Sequence, residues 1–180
     1  MLPPRVITEA DLDRSTDAAI KAGLIECFPA DAETFAKTRA WHGSAPTYTA
    51  IVEDEGRVVA HVGVVVRTIL VGAMPVTVAG VQNVFVVPSH RGTGLVDRVM
   101  TVAMDEARAR RLECGLLFCL PVLTRVYERT GWKLLSARSV WATGEQQGRY
   151  LLDDKNVLMF LQITRKDFPN GPIDLNGDDW

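Results

Sequence analysis

Cysteine is scarce in this chain and wrongly spaced for a metal. Its 180 residues hold three, Cys27, Cys114 and Cys119, with no C-x-x-C pair, so neither a disulfide framework nor a zinc knuckle is supported. Buried thiols in a reducing cytoplasm are expected instead, and no metal. Long apolar runs are missing as well. No stretch approaches the ~20 residues needed to cross a bilayer, and the opening "MLPPRVITEADLDR" lacks the basic start, apolar stretch and small-residue cleavage site of a secretory leader. The expectation is a cytoplasmic protein with no membrane partner. Neither sign of charge dominates: 20 Lys and Arg stand against 22 Asp and Glu, a net charge of -2. That balance argues against a general nucleic-acid binder, which neutralises several phosphates with a basic surface. Repeats and low-complexity segments are also lacking.

What is present is a chain with 47% hydrophobic and 23% charged residues, enough for one domain over residues 1–180 with its own core. A short strand is expected around Arg5 to Ile7. "TEADLDRSTDAAIKAGLIECF" then carries capping residues at its front and apolar residues at helical spacing. Pro29 interrupts that helix, and a shorter one restarts at Asp31. From Tyr48 to Val87 the chain is valine-rich, with turn signals at Asp54 to Gly56 and Gly72 to Pro75, which predicts three antiparallel strands. Near-continuous valines predict a sheet covered on both faces. Leu95, Val99, Ala103 and Ala107 recur every four residues and predict an amphipathic helix from Gly94 to Arg111. Arg108, Arg110 and Arg111 near its end suit the helix dipole and read as a solvated face. A buried strand "GLLFCL", a compact helix "VLTRVYERTG" and strands in "WKLLSARSVWATG" and "NVLMFLQIT" follow, and the Pro-, Gly- and Asn-rich tail "RKDFPNGPIDLNGDDW" reads as a loop-like terminus. The order predicts an α/β chain of α+β layer type, with helices on both faces of a mixed sheet.

The densest chemistry lies in "VVPSHRGTGLVDRVM", residues 86–100, which joins a valine strand to the amphipathic helix. A glycine-rich turn that feeds a helix N-terminus offers unpaired amides and the positive pole of the dipole, and so favours an anion such as a phosphate. The lysine and spacing of a Walker A loop are missing. A dinucleotide fingerprint is excluded too, because Asp97 stands where its third glycine belongs.

"VFVVPSHRGTGLVDRVM" resembles the acyl-CoA pyrophosphate loop of the GNAT superfamily of N-acyltransferases, strand then V-x-P-x-x-[RQ]-G-x-G-[IL]-[GA] then helix. Val86, Pro88, Arg91, Gly92, Gly94 and Leu95 fit, whereas Val96 stands where the family has Gly or Ala. About thirty residues on, "VYERTGW" resembles the family's Y-x-x-x-G-[FY] signature through Tyr127, Gly131 and Trp132. The resemblance spans residues 47–135 or so. "VAHVGVVVRTILVG", "GVQNVFVVPSHRGTGL" and "GPIDLNG" are also similar to segments of the nodulation protein A family, and the first two to the enhanced-intracellular-survival acetyltransferases.

The resemblance implies a GNAT-like, mostly antiparallel sheet of about six to seven strands and acetyl or another acyl transfer from coenzyme A to a small-molecule amine. Arg91, Gly92, Thr93, Gly94, Leu95 and Val96 would hold the pyrophosphate, and Phe85, Val86 and Val87 the pantetheine arm. It further implies a V-shaped gap between the strands ending near Val87 and Cys119, a backbone N–H near Val86 facing the thioester carbonyl, and Tyr127 as the acid that protonates the departing thiolate. The base is open. Where many relatives carry a Glu, this strand offers Gln82 and Asn83, which can hold a water but not take its proton. His61 is the nearest titratable candidate, with a histidine bonded within the sheet as the alternative reading, and the carboxylate of Trp180 is a third candidate. Phe28, Phe35, Trp41 and His42 sit on a predicted helical flap over the acceptor. Asp31, Glu33, Glu53 and Asp54 could attract a cationic amine or simply be solvated. An acyl-CoA-binding or sensing module with decayed chemistry is the alternative function, and a homodimer is left open.

Overall fold

The computed structural model describes residues 2–136, 138–144, 148–153 and 155–180. Strand β1 (Pro4–Thr8) leads through a short 3-10 turn into α1 (Arg14–Cys27), where Asp13 caps the helix by accepting from the Thr16 amide at 2.8 Å. A 3-10 turn at Pro29–Asp31 separates α1 from α2 (Ala32–Lys37). Strands β2 (Tyr48–Asp54), β3 (Arg57–Val71) and β4 (Met74–Val86) form the antiparallel meander, with turns where the Gly56 and Gly72 signals place them. Helix α3 (Leu95–Ala109), β5 (Cys114–Cys119), α4 (Thr124–Glu128), β6 (Lys133–Leu134), β7 (Val140–Gly144), β8 (Gly148–Leu151), β9 (Val157–Gln162) and β10 (Ile173–Asp174) complete the order. Among the described residues, no helix is long and apolar enough to cross a membrane.

Among the described residues the sheet has ten strands rather than six or seven, because short ones extend it on both sides. Its order is β6-β9-β5-β4-β3-β10-β7-β8, with β2 and β1 also added beside β3. The tail departs most from expectation. Its glycines, prolines and asparagines make turns, but Ile173, Leu175 and Trp180 are buried, and β10 inserts between β3 and β7. Three large apolar side chains outweigh the turn composition around them.

Helices cover both faces, as two close approaches show. The Tyr48 hydroxyl donates to the Ala103 carbonyl at 2.9 Å, so Tyr48 and its partner Val64 face α3. Strand alternation then sends Ile51, His61 and Phe85 to the opposite face. There α1 lies so close that a Cβ on Gly23 would stand 2.4 Å from the Phe85 ring, which only glycine permits. A second core, from Val65 and Ile69 through Leu116 and Phe160 to Trp180, contains no helical residue among the described residues: β7, β10 and the tail cover it.

Strand β4 is bulged. Asn83 and Val84 together stand opposite the single residue Val62, with Asn83 at φ 53°, a left-handed conformation that asparagine tolerates. The parallel pairing of β4 with β5 runs from Val78↔Cys114 to Val81↔Leu117 and stops, although β4 continues to Val86 and β5 to Cys119. The bulge sits where the two strands part.

Candidate active site

Helix α3 begins without a side-chain cap. Gly94 occupies the cap position at φ 76°, and the first bond of the helix runs from the Arg98 amide to the Gly94 carbonyl at 3.2 Å. The amides of Leu95, Val96 and Asp97 therefore have no partner within the helix, and they stand at the positive end of a fifteen-residue dipole. Gly92 and Gly94 both have positive φ, and a Cβ on either would meet nothing within 4 Å. Glycine is needed there for backbone conformation, not for protein packing. Gly94→Ala should accordingly cost about 1–2 kcal/mol of stability, measured by denaturant unfolding.

These amides face a cavity of about 350 Å³ lined by Val86, Arg91, Gly92, Gly94, Leu95 and Val96. Six of the nine residues expected at the donor are thus brought together. Phe85 is turned towards α1 and stacks on His61 at 5.3 Å, Val87 is buried, and the exposed Thr93 hydroxyl donates to the His90 carbonyl at 2.5 Å. His90, Asp97 and Arg129 also reach the cavity wall and were not anticipated. Arg129 lies two residues beyond Tyr127, and Asp97 is in the first turn of α3, so their positions in the two motifs could have signalled them.

At the strand end the hydrogen bonds are directional. The Val87 amide donates to the Val59 carbonyl at 3.0 Å. Alternation along a strand therefore points the Val86 N–H and C=O the other way, to the side from which β5 has departed. Arg91 Nε and the Cys27 thiol donate to the Val86 carbonyl, at 3.2 and 3.6 Å. Burial raises the Cys27 thiol above its ordinary pKa, so it stays a weak donor.

Tyr127, on α4, is a buried residue and is not among those lining that cavity, although Arg129 two positions later is. The Tyr127 ring packs edge-on against Trp132, with centroids 6.5 Å apart, and Trp132 in turn fits over Gly115, where a Cβ would come within 2.7 Å. The motif's tyrosine and tryptophan thus brace one another. Tyr127 is 8% exposed, and burial, with the Cys119 thiol nearby, pushes its phenol well above the ordinary value. Cys119 itself is raised to about 11 by burial. Neither group ionises near neutral pH.

His61 is fully enclosed. Its Nδ1 lies 2.7 Å from the Asn83 carbonyl, and burial lowers its pKa to about 4, so the ring is neutral at pH 7. The reading of a histidine bonded within the sheet thus has its hydrogen bond. Asn83 Nδ2 donates to the Arg39 carbonyl and Gln82 Nε2 to the Ser44 carbonyl, the latter at 2.6 Å, so both amides anchor residues 39–44 over the bulge. Arg39 is itself buried, with Nε on Asp17 at 2.7 Å and Nη2 on Glu9 at 2.6 Å. Arg39 Nη1, His61 Nε2 and Asn83 Oδ1 are buried with no partner among the described residues.

Phe28, Phe35 and Trp41 form a triangle with centroids 4.9–5.8 Å apart, which is core packing. His42 turns away from it to Asp179, at 2.8 Å, whose other oxygen accepts from the Tyr150 hydroxyl at 2.8 Å. The Asp179 hydrogen bond raises the His42 pKa. Beside this pair the tail folds back until the Trp180 indole lies on Gly80, where a Cβ would meet it at 2.3 Å. Of the acidic candidates, Glu53 pairs with Arg5 at 2.8 Å and Asp54 with His90 at 3.0 Å. Arg108 and Arg110 pair with Asp105 and Glu106 along their own helix, both at 2.7 Å, as a solvated face does.

Known structures share this architecture. A GNAT family N-acetyltransferase of Escherichia coli, solved in complex with CoA, superposes with a TM-score of 0.68 at 16% identity, covering 98% of this chain and 91% of that one. A GNAT family acetyltransferase of Brucella melitensis, solved with acetyl-CoA, gives 0.63 at 18% identity and 96% coverage of both chains. The ribosomal-protein-S18-alanine N-acetyltransferase of Escherichia coli gives 0.59 at 18% identity, covering 91% and 96%. At these identities the likeness shows the fold. No curated protein sequence matches the chain. Residues 4–135 match the family model described as an acetyltransferase (GNAT) domain, and that span, well over half of the chain, carries the assignment: the protein belongs to the GNAT acetyltransferase family.

Proposed function

We propose that the protein transfers an acetyl group from acetyl-CoA to a primary amine by direct attack, with donor and acceptor bound together. The observation that carries this reading is continuity. Free amides at the start of α3 and the Arg91 guanidinium line a cavity that reaches Val86, whose N–H points into the space between the parted strands. A pyrophosphate fits the first end, and a pantetheine arm can pair with the free edge of β4 like an added strand.

In this reading the chain does three things. It holds the thioester carbonyl against the Val86 N–H, which stabilises the oxyanion as the amine nitrogen bonds to the carbonyl carbon. It keeps Tyr127 protonated by burial, so that a proton is at hand when the carbon–sulfur bond breaks and the electron pair leaves on sulfur. It holds the bulge in shape through His61, Asn83 and Arg39. His61 acts there as a positioning group, since its ring is enclosed and only weakly basic, and the attacking amine loses its proton to water.

A second reading has an observation in its favour. Gln82 and Asn83 are spent on backbone carbonyls and His61 is sealed, so the strand presents no free carboxylate or accessible imidazole at the bulge. That suits an acyl-CoA-binding module. Thiol release from acetyl-CoA across a panel of primary amines separates the two: amine-dependent release is expected, and CoA binding without turnover on any amine would favour the binding module.

A further inference from the structure

The donor cavity contains a charge that works against its ligand. Asp97 occupies the third position of α3, where a carboxylate complements the helix dipole. In a helix whose N-terminus receives an anion, that carboxylate and the ligand compete for the same field. Arg129 answers it from just beyond α4: its Nη2 donates to Asp97 Oδ1 at 2.9 Å and its Nε to Oδ2 at 3.2 Å, a two-pronged grip. The side chains are 56% and 35% exposed, and a pair so open to water adds little to folding. Both residues nevertheless line the cavity wall, together with Arg91 and the two glycines. The effect of the pair therefore falls on what enters the cavity.

We infer that Asp97 and Arg129 form a compensating pair that sets the affinity for a phosphate-bearing donor. Asp97 weakens binding by placing a negative charge at the phosphate end of the site, and Arg129 offsets that charge. Bound product is thereby kept from being held too tightly. This inference rests on the donor reading above and concerns the phosphates alone.

The test uses the full chain, with CoA and phosphate-free pantetheine as probes in titration calorimetry or competition. Asp97→Asn should tighten CoA binding about threefold to tenfold at low ionic strength, with the gain shrinking as salt is added. Arg129→Ala should weaken it by a similar factor, and the double variant should return towards wild type. Asp97→Ser, which keeps an oxygen at the helix start, should behave as Asp97→Asn does. Pantetheine should bind the wild type and all four variants alike. A wild type that binds no CoA would remove the donor reading itself. If the wild type binds CoA and Asp97→Asn binds it no more tightly, or pantetheine shifts with CoA, the pair does not act as inferred.

Discussion

Tyr127→Phe should lower kcat with acetyl-CoA by about a hundredfold or more and leave the affinity for CoA unchanged. The variant removes one oxygen and keeps the ring that packs edge-on against Trp132. That hydroxyl has no hydrogen-bond partner among the described residues, so its removal breaks no hydrogen bond there and should change stability little. A fall in turnover therefore reports chemistry and not unfolding. Because burial holds the phenol above its ordinary pKa, the wild-type profile of kcat against pH should show no descending limb from Tyr127 up to about pH 10. Unchanged turnover at saturating donor would take Tyr127 out of the mechanism.

The second large effect concerns stability and comes from His61. An imidazole with a pKa of about 6.5 in the unfolded chain and about 4 in the folded one binds its proton more readily when unfolded. The unfolded state then carries the extra proton between those two values, so stability is fully present above pH 6.5. It declines as pH falls towards 4 and levels off below. The interval corresponds to about 3 kcal/mol. Denaturant unfolding of the wild type and His61→Gln at pH 7.5 and pH 5 isolates the effect, because the remaining groups titrate alike in both. The two include His42, whose raised pKa works in the opposite sense, stabilising the fold at low pH and losing that contribution as pH rises through its folded value. The wild type should lose about 2 kcal/mol more than the variant between those pH values. Equal losses would mean that the ring takes up its proton without opening the fold.

Local chemistry made much of the fold legible. Valine-rich runs between glycine turns place the meander within a residue or two, and the four-residue apolar rhythm places α3. The loop proposed to hold the donor could be read because its demands are local: a positive φ at Gly92 and Gly94 and free amides after them. What stayed hidden depends on partners far away in sequence. Nothing near Arg39 announces that Glu9 and Asp17 will let it be buried, and nothing in "GPIDLNG" announces that β3 has an open edge waiting for Ile173 and Asp174. The pairing of Asp97 with Arg129 was hidden for the same reason, since thirty-two positions separate the two residues. Val96, where the resemblance expects a smaller residue, is half-buried, lines the cavity and packs against the main core, while its amide stays in the first turn of α3.

The insertion of β10 bears on how the chain is assembled. Its two residues pair with Val71 and Leu70, about a hundred positions earlier, and also with Val140 and Trp141. They link the β7–β8 hairpin to the rest of the sheet. Closing a loop of that length is slow compared with forming the β2–β3–β4 meander, whose partners are neighbours in sequence. During synthesis the meander and α3 can therefore settle first, while the edge of β3 and the apolar surface around Gly80 stay uncovered. Until Trp180 has left the ribosome, that surface is where nascent chains would stick to one another and where a chaperone would be needed.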